Sequence, residues 1–204
     1  MADFKKHTSV GLLWGLLISI VCFFAGYIDI LQGVVATVLG IIGSGLPDID
    51  SDTARPRRII LGILGITVPV ILASSHFKGS RVETIFCIVL FSYLFLQYVL
   101  SYVFAKYTKH RGLFHSIPMM VLFGELTFLM FSDSINQATL VYAGACAGGY
   151  LSHLILDEIY SVDIMGCSIK RSFGTALCFK GDSFLRNMIL YLLIIVCGIL
   201  CFLK

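Results

Sequence analysis

The chain has 204 residues, of which 58% are hydrophobic and only 13% charged, with a net charge of +3. Soluble domains are about a quarter charged, so a water-soluble globular protein is excluded. The composition marks an all-α polytopic integral membrane protein with a single membrane domain, residues 1–204. The positive charges form no stripe with interleaved aromatics, which argues against a nucleic-acid partner.

Lys5 and Lys6 precede a first apolar run, about 9–28. That run is long for a signal-peptide core and has no A-x-A site after it, so it reads as a retained helix. The second run, about 31–46, has 16 residues. It is short for a crossing of about 17–25 residues, which makes it a tilted span or a re-entrant segment. Its Gly33, Gly40, Gly43 and Gly45 permit close packing against a neighbour. Further runs follow at about 59–75, 82–105, 113–131, 138–156 and 184–203. The expectation is a helical bundle of about seven spans, or six if 31–46 is re-entrant. Residues 157–183 form the longest mixed stretch and are expected to be a cytoplasmic interfacial loop within the same domain. The seven cysteines contain no CxxC pair and mostly lie in apolar runs, where cysteine acts as a small hydrophobe.

Seven spans with a cytoplasmic N-terminus put Lys5, Lys6, Arg55, Arg57, Arg58, Lys106, Lys109, Arg111, Lys170, Arg171, Lys180 and Arg186 inside. Only Lys78, Arg81 and Lys204 fall outside. Such a bias is what the translocation of positive charge produces.

The same topology gathers chemistry at the cytoplasmic face. In "LPDID", Asp48 and Asp50 stand at i, i+2, so an extended stretch would point both carboxylates one way. The ordinary alternative is a solvated loop with capping aspartates. "HRGLFHS" places His110 and His115 around Gly112, where they would be metal ligands or plain interfacial histidines. Arg111 is either a phosphate clamp or a topological anchor. "GGYLSHLILDE" sets His153 and Asp157 at i, i+4, on one face of a helix. An ionisable pair bordering a span is a functional candidate. His7 alone would be an ordinary solvated histidine, but it approaches the same surface. Glu125 lies about 18 Å along its run at 1.5 Å per residue, away from that face. Mixed His and Asp donors suit zinc or manganese, and their number allows one or two ions. Two-ion sites stabilise attacking and leaving oxygens in phosphoester cleavage.

His7, "LPDID", "HRGLFHS" and "GYLSHLILD", in that order over residues 7–157, resemble the YdjM type of bacterial inner-membrane metal-dependent hydrolases, described as LexA-regulated. The resemblance implies a metal set of His7, Asp48, Asp50, His110, His115, His153 and Asp157, the last six being catalytic. It also implies a multi-pass inner-membrane location and no named substrate. The His-x-x-x-Asp helix is similar to that of zinc-dependent phospholipases C.

The expected function is therefore a metal-dependent hydrolase of a lipid or lipid-linked phosphoester. Two alternatives remain open at this point. One is a metal or proton transporter that uses Glu125, and the other is a non-enzymatic membrane protein with a structural metal.

Overall fold

A computed structural model describes residues 4–50, 54–76, 81–103, 113–131, 136–163, 168–169, 177–181 and 183–204. Among these residues the chain is helical almost throughout. Seven α-helices occur: α1 (Phe4–Phe24), α2 (Ile30–Gly45), α3 (Ala54–His76), α4 (Val82–Leu94), α5 (Ile117–Phe131), α6 (Gln137–Ile159) and α7 (Phe184–Phe202). Each corresponds to an apolar run of the sequence. A two-residue antiparallel ladder joins β1 (Val162–Asp163) and β2 (Ser168–Ile169).

Among the described residues, five segments are long and apolar enough to cross a membrane: Phe4–Phe24, Ile30–Ile49, Val82–Val103, Gln137–Ile159 and Phe184–Phe202. The second run reaches spanning length because a 3-10 turn, Leu46–Asp50, continues α2. Its 16 apolar residues thereby become a 20-residue segment. The other two predicted spans are helices with less apolar length. Helix α5 has 15 residues, about 22 Å against a hydrocarbon core of about 30 Å. Helix α3 is 23 residues long but begins with Arg55, Arg57 and Arg58.

The chain divides into two compact units. One comprises Met1–Pro47 with Arg111–Lys204, and the other is Asp48–His110. In the second unit α3 packs on α4. Phe95–Leu100 widens there into a π-helical turn, and Arg57 Nε donates to Ser101 Oγ at 3.3 Å.

In the first unit α2 packs between α1 and α6, and α6 also packs on α5. Small residues allow this closeness. Helix α1 buries His7, Gly11, Gly15 and Ser19, a stripe repeating every fourth residue, as close-packed membrane helices use. Ser19 Oγ lies 2.6 Å from the Gly15 carbonyl and 2.7 Å from the Gly33 carbonyl, with Thr37 Oγ1 at 3.0 Å. These hydroxyls join α1 to α2. Helix α6 continues the pattern: Cys146, Gly149, His153 and Asp157 fall on its buried face. Gly43 faces the Cys146 carbonyl, and Gly149 faces the Gly40 carbonyl. Trp14 of α1 fills the space over Gly148, its Nε1 reaching the Gly144 carbonyl at 3.4 Å. The buried stripes of α1 and α6 both end in ionisable residues, and this ending creates the site.

Candidate metal centre

His7 begins the buried stripe of α1, one turn before Gly11. His153 and Asp157 end the buried face of α6. His115 lies in the turn that leads into α5. All four belong to the first unit, and none exceeds 2% exposure.

Three imidazoles surround one carboxylate. His7 Nε2 lies 3.4 Å from Asp157 Oδ1. His115 Nε2 and His153 Nε2 lie 3.7 and 4.0 Å from Asp157 Oδ2. The His7 and His153 rings stack at 3.7 Å, and the His115 ring stands edge-on to His153 at 5.5 Å. Hydrogen bonds between such groups run at about 2.7–3.2 Å. Donors bonded to one tetrahedral zinc at about 2.0–2.1 Å stand about 3.3 Å from each other. The separations among His7, His153 and Asp157 are compatible with donors that could share one ion. The donor atoms of His7, His153 and Asp157 all lie within 4.8 Å of one another. Imidazole nitrogens together with carboxylate oxygens are donors that suit zinc or manganese.

The surroundings orient these donors. His153 Nδ1 is 2.7 Å from the Ser44 carbonyl of α2. A carbonyl only accepts, so Nδ1 donates in that bond and Nε2 is the ring nitrogen turned toward the cluster. Metal-binding histidines are commonly fixed by this kind of partner. The His115 turn is tied on two sides. Tyr150 of α6 donates its hydroxyl to the Phe114 carbonyl. Cys178 Sγ donates to the His115 carbonyl at 3.3 Å, while Ile117 N donates to the Cys178 carbonyl at 3.0 Å.

A family model matches residues 1–201: that of the YdjM inner membrane protein. The chain belongs to the YdjM inner membrane protein family. No curated protein and no solved structure matches it. The family places the chain in the inner membrane, and its helices make it multi-pass.

Of the seven ligands expected for a YdjM-type site, four lie together within the first unit: His7, His115, His153 and Asp157. Asp48 is buried in the turn Leu46–Asp50 and begins the second unit. His110, Arg111, Lys170, Arg171 and the Asp50 side chain lie outside the described residues. Glu125 sits on α5 facing α7, with its Oε1 against Gly198.

Two contributors escape a motif search. Ser44 acts through its backbone carbonyl, which leaves no side-chain signature. Tyr150 stands three residues before His153, and that spacing on one helix face was its available signal.

Tyr150→Phe removes the tie to Phe114 while keeping the ring. It is expected to lower affinity for zinc about 10–100-fold, the range for lost outer-sphere partners. Titration of purified chain against a zinc chelator of known affinity measures this. An unchanged affinity would show that the His115 turn needs no such tie.

Proposed function

We propose that this chain is a metal-dependent hydrolase that cleaves a phosphoester of a lipid or lipid-linked substrate at the cytoplasmic leaflet. The observation that carries the proposal is the burial of three imidazoles around the Asp157 carboxylate at the ends of membrane helices. A polar cluster of this kind in an apolar bundle is costly unless it has a task. A divalent ion bound there, zinc or manganese, would supply Lewis acidity and activate water.

The residues of the chain hold and aim the donors. Asp157 provides the negative charge that attracts the cation. The Ser44 carbonyl holds the His153 tautomer. His7 closes the set from α1. The sequence motifs also offer Asp48, Asp50 and His110 as ligands for a second ion and Arg111 as a contact for an anionic headgroup. Counted over seven spans, the 12-to-3 partition of basic residues supports a cytoplasmic N-terminus and hence a cytoplasmic site.

The test is turnover of a phosphoester panel by detergent-purified chain: p-nitrophenyl phosphate, phosphatidate and a polyprenyl phosphate. Rates are compared with zinc, with manganese and after chelation. Metal-dependent release of phosphate, restored when the ion returns, is expected. Stoichiometric metal with no turnover of any of them would favour a structural metal. Glu125→Gln separates the transport alternative. A hydrolase should keep more than about half its rate, because Glu125 lies against Gly198 of α7, whereas a transporter should lose ion flux in proteoliposomes.

A further inference from the structure

Residues 177–181 are non-helical and lie against the turn that carries His115. Cys178 Sγ reaches the His115 carbonyl at 3.3 Å, and the Cys178 carbonyl accepts from Ile117 N at 3.0 Å. The segment is also bound to α7. Tyr191 donates its hydroxyl to the Phe179 carbonyl at 2.6 Å. Asn187 meets both backbone groups of Gly181: its Oδ1 accepts from Gly181 N and its Nδ2 donates to Gly181 O, each at 2.8 Å. Leu177 and Phe179 are exposed. They stand two residues apart, which in an extended stretch puts them on one side and Cys178 on the other.

The depth of the segment follows from α7. That helix has 19 residues, about 28 Å at 1.5 Å per residue, against a hydrocarbon core of about 30 Å. It has no turn to spare, so its first turns lie at the level of lipid. Asn187 and Tyr191 belong to those turns. A helical side chain leans back toward the N-terminus. Tyr191 nevertheless starts about 10 Å past Phe184, so the Phe179 carbonyl lies alongside α7 and not above it. Irregular backbone at that depth persists only where other groups satisfy it, and the Asn187 amide and the Tyr191 hydroxyl do so. Lys180 and Arg186 are exposed, and their long stems let the charges return to the headgroups.

We infer that residues 177–181 are inserted into the acyl region of one leaflet, with Leu177 and Phe179 against lipid chains, and that the His115 turn stands inside that leaflet. The partner of this surface is lipid hydrocarbon, continuous with the lipid around the exposed Phe184, Leu185 and Met188 of α7. One consequence rests on the metal-site proposal above: a lipid reaches the histidine cluster sideways, from its own leaflet. The depth itself rests on α7 and holds with or without a metal.

The experiment uses full-length chain in phosphatidylcholine nanodiscs without added metal. Phe179→Trp and Leu177→Trp are each read against wild type, which subtracts the emission of Trp14, the single tryptophan of the chain. The quenchers are lipids brominated midway along their chains, lipids with a nitroxide on the headgroup, and iodide in the buffer. Each introduced indole is expected to lose most of its emission to the brominated chains, less to the headgroup nitroxide and almost none to iodide. Asn187→Leu, added to the Phe179→Trp chain, removes both bonds to Gly181 and is expected to shift the quenching from bromine toward iodide. Iodide as the strongest quencher at both positions would put the segment in water, and the headgroup nitroxide as the strongest would put it at the surface. Either result would overturn the inference. A pattern unmoved by Asn187→Leu would overturn the argument from backbone satisfaction on which the depth rests. Size-exclusion profiles check folding, and two positions guard against the failure of one variant. No metal and no turnover enter, so a failure here leaves the hydrolase proposal standing, and the loss of that proposal leaves the depth standing.

Discussion

A His153→Ala, Asp157→Ala double variant is expected to lose stoichiometric zinc or manganese entirely. Structural zinc sites with four protein ligands bind with about 10–16 kcal/mol, or about 3 kcal/mol for each ligand. Removing two then weakens binding about 10,000-fold or more. Asp157 matters most because it faces all three imidazoles. His153 matters next because the Ser44 carbonyl aims it and it stacks on His7. Elemental mass spectrometry on purified protein reads the outcome, with size-exclusion profile and thermal unfolding as folding controls. Wild type carrying one or two ions, against none in a folded double variant, is the expected result. Wild type without metal, even after zinc and manganese are added, would remove the basis for metal-dependent chemistry in this chain. Equal metal in both proteins would place the ion elsewhere.

The second large effect is structural. Gly149→Ala is expected to destabilise the bundle and weaken metal binding together. A Cβ at Gly149 would stand 3.0 Å from the Gly40 carbonyl carbon and closer still to its oxygen. Both neighbours are backbone, so neither swings away and α2 must move off α6. Alanine gains about 1 kcal/mol in helix propensity, but overpacking at a rigid contact costs about 1–3 kcal/mol, and here the clash wins. The melting temperature should fall by a few degrees, at about 2–4 °C per kcal/mol for a chain of this size. Zinc affinity should fall too, because Gly149 stands one turn before His153 and the same helix pair sets the His153–Ser44 contact. Gly33→Ala is the control. Its nearest neighbour would be the Ser19 Cβ at 3.6 Å, an ordinary contact, so stability should hold or rise slightly. A melting temperature as high in Gly149→Ala as in Gly33→Ala would show that this helix pair tolerates separation.

Much of the fold was legible in local pattern. Every apolar run is a helix in the structure, because in a membrane the backbone must satisfy its own hydrogen bonds and helices do so within one segment. The i, i+4 spacing of His153 and Asp157 placed both on one face before any packing was known. His7 was the weakest ligand candidate in isolation. Its signal lay in register with Gly11, Gly15 and Ser19, a stripe that only makes sense once α2 covers it. The second run looked short because the residues Leu46–Asp50, with Pro47 and two aspartates, interrupt the apolar pattern. In the structure they continue the helix as a 3-10 turn.

The sequence by itself determined the membrane class, the helical runs and a pool of histidines and aspartates near one face. Tertiary structure alone decided which of them meet. The approach of α1, α2 and α6 is set by missing Cβ atoms, at Gly11 against Ser44, Gly43 against Cys146 and Gly149 against Gly40. Each is a relation between residues far apart in the chain. Periodicity reports which side of a helix is buried. It carries no information on the depth at which two helices touch, and that depth brings His7, His115 and His153 around a single carboxylate.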